Sequence, residues 1–206
     1  MFYYTGIMMT EKTIQGKRCV VGFDMDGVIV DHTPNKIALA RRYGVTLALS
    51  DTHSEQLPKI MPRSIYKDFQ NELYGDTEFA FSAPLMEGVE ATLRMLADRQ
   101  IPFVLISRRR QPKNAVALLA RRGLWGTSFT EKNAFFVGSP EEKNAIAVRE
   151  EVTHFFDDER KVLRVMPDVR HRFLFDTFRQ FGDDKDYTRV FDWEMLRQIF
   201  FAGPSA

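Results

Sequence analysis

Val20-Val21-Gly22-Phe23-Asp24-Met25-Asp26-Gly27-Val28-Ile29-Val30-Asp31 is the segment that decides the reading of this chain. An apolar run, Val20 to Phe23, ends on two carboxylates, with Gly27 directly behind them. A short apolar run bounded by a glycine reads as a buried strand. Residues two apart on extended backbone point the same way, so Asp24 and Asp26 leave the strand end on one side. Gly27 lets the backbone turn sharply, including through positive φ. Two carboxylates this close repel unless a cation or a shared proton compensates. Carboxylates, backbone carbonyls and water are the donors Mg²⁺ prefers. Asp and Gly are also ordinary turn formers, so the segment alone leaves a plain strand-to-turn junction open.

The rest of the chain repeats the strand signal at intervals filled by helical pattern. Strands are expected over 19–24, 102–107, 134–137, 152–156 and 173–175. Helices are expected over 34–43, 87–99, 112–122, 140–148 and 193–200, with a short helix or turn over 160–166. Pro112 and Pro140 stand where a helix first turn tolerates proline, and Gly44 and Gly123 read as stops. Strands alternating with helices argue for an α/β fold, a Rossmann-like parallel sheet with helices on both faces. In such sheets ligands bind beyond the carboxyl ends of the strands. Asp24, Ser107 and Asp157 all fall at such ends.

Residues 33–85 separate the first strand from the helix that precedes the second. Within them Leu57, Met61, Ile65, Phe69 and Leu73 recur every four residues, one helical stripe. Pro58 and Pro62 delay its start, and Gly75 marks its end. The expected organisation is a core domain of 18–32 and 86–202, interrupted by a small helical cap of 33–85. A structural elaboration of the core is the plainer alternative, but this insertion leaves the chain right beside the predicted site.

Phe23-Asp24-Met25-Asp26-Gly27-Val28-Ile29-Val30-Asp31 resembles the first motif of the haloacid dehalogenase superfamily, most of whose members are Mg²⁺-dependent phosphatases. Phe103-Val104-Leu105-Ile106-Ser107 fits the second motif, an apolar strand ending in Ser or Thr. Lys143 near a helix start fits the third. His154-Phe155-Phe156-Asp157-Asp158-Glu159 fits the fourth, an apolar strand ending in paired acids. The four stand in the family's order and span most of the chain. The resemblance implies a strand order of 3-2-1-4-5 and a small cap, with some likeness to the deoxyribonucleotidase-like branch.

The resemblance also implies roles. Asp24 is the nucleophile, which forms an aspartyl-phosphate that water hydrolyses. Asp26 is the general acid and then the general base, which requires a raised pKa so that it is protonated when substrate binds. Ser107 and Lys143 bind the phosphoryl group. The metal is held by Asp24, the backbone carbonyl of Asp26 and Asp158, with Asp157 in the outer shell. Taken alone, Ser107 reads as a helix cap and Lys143 as a surface lysine; their order and spacing relative to Asp24 and Asp157 change that. Arg108-Arg109-Arg110 follows Ser107 directly. An arginine there suits a second phosphate or a carboxylate, and Arg108 is the expected one of the three, against the plainer reading of a solvated turn. His32 is expected at the site mouth as an exposed linker residue, with contact to substrate as the alternative, and His154 as a hydrogen-bonded core residue.

Composition narrows the classes. The 206 residues suit one domain with a modest insertion. With 29 basic and 28 acidic residues, no global charge favours nucleic acid or a membrane surface. No stretch approaches the roughly 18 apolar residues of a membrane span. The single Cys19 excludes an intrachain disulfide and is compatible with a reducing compartment; it reads as a small buried hydrophobe. Residues 1–9 make a poor signal peptide, and the tail 203–206 reads as frayed. The expected function is a cytoplasmic Mg²⁺-dependent phosphomonoesterase acting on a small phosphorylated metabolite, a (deoxy)nucleotide or a sugar phosphate, from a monomer or homodimer. The alternatives are a phosphomutase using the same residues and a non-catalytic regulatory or binding protein on the same fold.

Overall fold

Apolar residues bury the central strands on both faces, which is the pattern of a parallel sheet sandwiched between helices. The computed structural model describes residues 13–14, 17–109 and 111–201. The expectations for residues 1–9, Arg110 and 203–206 lie outside the described residues. Six strands form one sheet: β1 (Val21–Phe23), β2 (Phe103–Ser107), β3 (Ala134–Phe136), β4 (His154–Asp157), β5 (His171–Phe175) and β6 (Thr188–Val190). All neighbours pair in parallel, in the order 3-2-1-4-5-6. The order matches the expectation, and β6 extends it by one strand. Thr188-Arg189-Val190 has no apolar run to announce it; it pairs as an edge strand, with Phe173 opposite Thr188. A short antiparallel ribbon, Thr13–Ile14 with Lys17–Arg18, precedes the sheet.

Alternation along the strands divides the core into two layers. Val21, Phe23, Leu105, Phe156 and Phe173 pack on one face against α5 (Val89–Asp98), α6 (Pro112–Arg121) and α9 (Trp193–Phe201). Val20, Val104, Ile106, Phe155 and Leu174 pack on the other against α7 (Pro140–Arg149) and α8 (Arg160–Arg164). Gly22 sits between these layers where a Cβ would lie 2.4 Å from the ring of Phe155. The indole N–H of Trp193 donates to the Val28 carbonyl at 2.8 Å, which ties α9 to the turn behind β1.

Residues 33–85 form α1 (Thr33–Arg42), α2 (Leu57–Ile60), α3 (Arg63–Leu73) and α4 (Glu78–Phe81), joined by a 3₁₀ turn at Leu49–Thr52. The stripe from Leu57 to Leu73 is split by Met61 and Pro62 into α2 and α3. Leu39, Ala40, Leu57, Phe69 and Leu73 close a hydrophobic cluster of their own, separate from both core layers. The chain leaves and re-enters the core at one place: Asp31 N–H donates to the Pro84 carbonyl and Met86 N–H to the Ile29 carbonyl, both at 2.9 Å.

Candidate active site

β1, β2 and β4 are adjacent, so their carboxyl ends bring Asp24, Ser107, Asp157 and Asp158 together, and α7 adds Lys143. A cleft of about 700 Å³ opens between this sheet end and the inserted helices. Asp24, Asp26, Ser107, Arg108, Lys143 and Asp158 line it. Asp157 lies behind them, fully buried.

Lys143 enters from the first turns of α7, whose start is fixed by Pro140 at its first position and by Ser139, which accepts a hydrogen bond from the Glu142 N–H. Its ammonium donates to Asp24 Oδ1 and Asp157 Oδ2, both at 2.7 Å. Burial alone would lower the Lys143 pKa; the two carboxylates outweigh it and hold the side chain charged. One ammonium faces two buried acids, and negative charge remains in excess. Burial accordingly pushes Asp24 up to about 7, against the pull of Lys143. Asp157 is also raised by burial. Asp158 is raised well above the usual range by burial and then by Asp157 and Glu159.

This acidic excess fits a hard divalent cation. One oxygen from each of Asp24, Asp157 and Asp158 lies within 4.8 Å of the others. Asp157 has both oxygens engaged, Oδ2 by Lys143 and Oδ1 by the Glu159 N–H at 2.9 Å. Asp158 accepts from Ser54 Oγ at 2.5 Å. Gly27, at φ +82°, presses against Asp158, and a Cβ there would lie 2.5 Å from Asp158 Oδ2. Ser107 is 1% exposed, and its Oγ has no hydrogen-bond partner among the described residues. A buried hydroxyl without a partner is unusual and suits a site that receives an anionic oxygen.

Asp26 departs from expectation. The mechanism inferred from the resemblance wants its carboxyl protonated, but the structure holds it ionised. Burial would raise its pKa; the Arg109 guanidinium and the His32 ring outweigh burial and keep it below the usual carboxylate range. Arg109 grips it with two bonds, Nε to Oδ2 at 2.7 Å and Nη2 to Oδ1 at 2.5 Å. His32 Nε2 lies 2.7 Å from Oδ1. His32 is therefore not an exposed linker residue: it is 2% exposed, standing just before α1 with its ring between the Asp26 carboxylate and the Tyr74 ring. Arg108 stands on the cleft wall with its guanidinium paired to Glu159 at 3.0 Å, and Arg109 is the residue that reaches the acid. The sequence does not separate the two, since strand alternation ends at Ser107.

The inserted helices contribute side chains that sequence reasoning missed. Lys36 on α1 is 7% exposed, donates to the Thr52 carbonyl at 2.8 Å and lines the cleft. Burial lowers its pKa, while Asp158 and Asp26 pull it up. Glu55 accepts from Arg160 Nη2 at 2.6 Å and Nε at 3.0 Å, which fastens the segment next to Ser54 to the core. A lysine in the first turn of an amphipathic helix carries no sign of its direction, and only the fold shows that Lys36 points inward. His154 is a buried core residue, 2.8 Å from Thr153 Oγ1. Cys19 is buried, and its thiol is pushed up to about 11.

No protein-family model matches the chain, and no curated protein matches it in sequence. Solved structures do. A haloacid dehalogenase family hydrolase from Deinococcus radiodurans with bound phosphate and sodium superposes with a TM-score of 0.59 at 16% identity, over 87% of this chain and 93% of that one. A haloacid dehalogenase hydrolase of family IA from Entamoeba histolytica gives 0.56 at 13% identity, over 88% and 97%. A protein from Thermotoga maritima, provisionally assigned as a β-phosphoglucomutase, gives 0.57 at 18% identity, over 89% and 97%. The chain therefore has the fold of the haloacid dehalogenase superfamily hydrolases. Among the described residues no helix is long and apolar enough to cross a membrane.

Proposed function

We propose that this protein is a Mg²⁺-dependent phosphomonoesterase that works through an aspartyl-phosphate on Asp24. The observation that carries the reading is the convergence of Asp24, Ser107 and the Asp157–Asp158 pair at three adjacent strand ends, with Lys143 from α7 bonded to Asp24 and Asp157. Their spacing by topology, rather than by sequence, makes a chance cluster a poor explanation. The fold's occurrence in a hydrolase with bound phosphate supports it.

A bound Mg²⁺, held by Asp24, Asp158 and the Asp26 carbonyl with Asp157 behind them, would offset the repulsion between an anionic nucleophile and an anionic ester. Asp24 forms the new P–O bond as the ester P–O bond breaks, and the leaving oxygen takes a proton from Asp26. Water then attacks phosphorus, gives its proton to Asp26, and releases phosphate and free Asp24. Ser107 Oγ donates to a phosphoryl oxygen. Lys143 already neutralises Asp24 and fixes its direction. Asp26 serves only after it leaves Arg109 and gains a proton.

Residues 33–85 act as a cap: their own hydrophobic cluster and their two crossings at Asp31 and Met86 support a unit that sits over the cleft. The substrate is a small phosphorylated metabolite, a sugar phosphate or a (deoxy)nucleotide, in a reducing cytoplasmic setting that suits the buried thiol of Cys19. A phosphomutase is the second reading, favoured by the shared fold with the Thermotoga maritima protein and by the retention of Asp26 on Arg109, which keeps the carboxylate engaged and not free to activate water. The test is phosphate release from a panel of phosphomonoesters with Mg²⁺ and with EDTA. Metal-dependent release supports the phosphatase. Phosphoryl migration within a sugar phosphate without release supports the mutase, and neither reaction from a folded, metal-binding protein overturns both.

A further inference from the structure

We infer that Arg109 is the receptor for a second anionic group on the substrate, a carboxylate or a further phosphate, distinct from the phosphoryl group that reacts. The inference rests on Asp26 acting as the proton carrier of the proposed phosphatase reaction. Both Asp26 oxygens are occupied: Oδ2 by Arg109 Nε, and Oδ1 by Arg109 Nη2 and His32. To meet a leaving oxygen in the cleft, Asp26 must give up these bonds.

The consequence falls on Arg109. Its side chain is 8% exposed and its guanidinium lies 4.5 Å from the centre of the Tyr74 ring. A guanidinium stays charged under all ordinary conditions. Among the described residues Asp26 is its one carboxylate partner. When Asp26 swings away, a buried cation is left without a counterion, one of the costlier states a protein can adopt. An anionic group on the substrate removes that cost, because the planar fork accepts a carboxylate or a phosphate through two parallel hydrogen bonds. Arg109 lines the cleft, two residues past Ser107, so such a group has access to it. The exchange of one anion for another at Arg109 thus frees Asp26 only when a doubly anionic substrate is in place. A plain ester leaves the clamp shut.

The test compares matched esters: glycerol phosphate against phosphoglycerate, which adds a carboxylate, and a hexose monophosphate against a hexose bisphosphate. kcat/KM is measured for the wild type, Arg109→Gln and Arg109→Lys, each checked for folding by thermal unfolding. The expected result is a preference of about a hundredfold for the doubly anionic member of at least one pair in the wild type. The pair that shows it tells carboxylate from phosphate. In Arg109→Gln the ratio collapses to within a few-fold, and in Arg109→Lys it is intermediate. If Arg109→Gln does not fold, the wild-type and Arg109→Lys ratios decide. Release without preference in the wild type, or an equal loss on every ester in the variants, overturns the inference and leaves the phosphatase reading standing. No release from any ester overturns the phosphatase reading itself.

Discussion

Gly27 lies against Asp158 so closely that a methyl group on it would stand 2.5 Å from Asp158 Oδ2. The φ of +82° is also one that L-residues with a Cβ rarely adopt. Gly27→Ala should cost about 1–2 kcal/mol from the backbone alone. It should also push Asp158 out of the acidic cluster and weaken Mg²⁺ binding by at least about tenfold. Calorimetric titration of Mg²⁺ into the folded variant, beside its urea midpoint, separates the two effects. Unchanged metal affinity would mean that Asp158 is not a ligand.

Lys143→Met leaves Asp24 and Asp157 buried with no cation between them. Breaking a buried pair from one side costs roughly 3–5 kcal/mol. Metal-free Lys143→Met should therefore unfold at much lower urea than wild type, and Mg²⁺ should restore part of the loss. Lys143→Arg should not restore function, because a planar fork does not replace a compact ammonium shared by two acids.

The acids that would bind the metal hold protons more tightly than usual when it is absent, with Asp24 near 7 and Asp158 well raised. Coordination needs the deprotonated form, so Mg²⁺ must displace protons. Affinity should rise as pH increases through about 7 and fall below it. Titrations in buffers of different ionisation heat should show proton release near neutral pH. A pH-independent affinity with no proton release would contradict the charge arrangement described for Asp24.

His154 is buried and neutral, its pKa pushed down to about 3 by burial. An unfolded histidine titrates near about 6.5, so the folded value is depressed. The stability it contributes is complete above that pH and is lost as pH falls toward the folded value. One such group gives a slope of about 1.4 kcal/mol per pH unit. His53, held near 4 by burial, adds in the same direction. Urea unfolding of His154→Gln between neutral and mildly acidic pH should show a shallower loss of stability than wild type. An identical slope would place the titration elsewhere.

The legible part of this molecule is the part set by strand ends. Val20–Phe23, Phe103–Ile106 and His154–Phe156 are apolar enough to be strands, and a parallel sheet must gather the residues at their carboxyl ends along one edge. Asp24, Ser107 and Asp158 share a cleft, with Asp157 directly behind it, for that reason. The illegible part depends on long-range placement. Arg109 meets Asp26 across 83 residues and Ser54 meets Asp158 across 104, and no local pattern encodes either contact. His32 reads as a linker residue in the sequence because its burial comes from packing against Tyr74, at 5.2 Å between ring centres, on a different helical segment. β6 gives no signal because an edge strand needs no apolar run: its register is supplied by β5.

In the proposed reaction Asp24 carries the phosphoryl group. The direct measurement is intact mass after a phosphomonoester substrate is mixed with enzyme and Mg²⁺ and quenched in acid during turnover. The expected result is a gain of one phosphoryl group, on the peptide containing Asp24, that is labile at alkaline pH and absent from Asp24→Asn, which also releases no phosphate. Metal-dependent phosphate release that persists in Asp24→Asn, with no phosphorylated enzyme at any time, would contradict it.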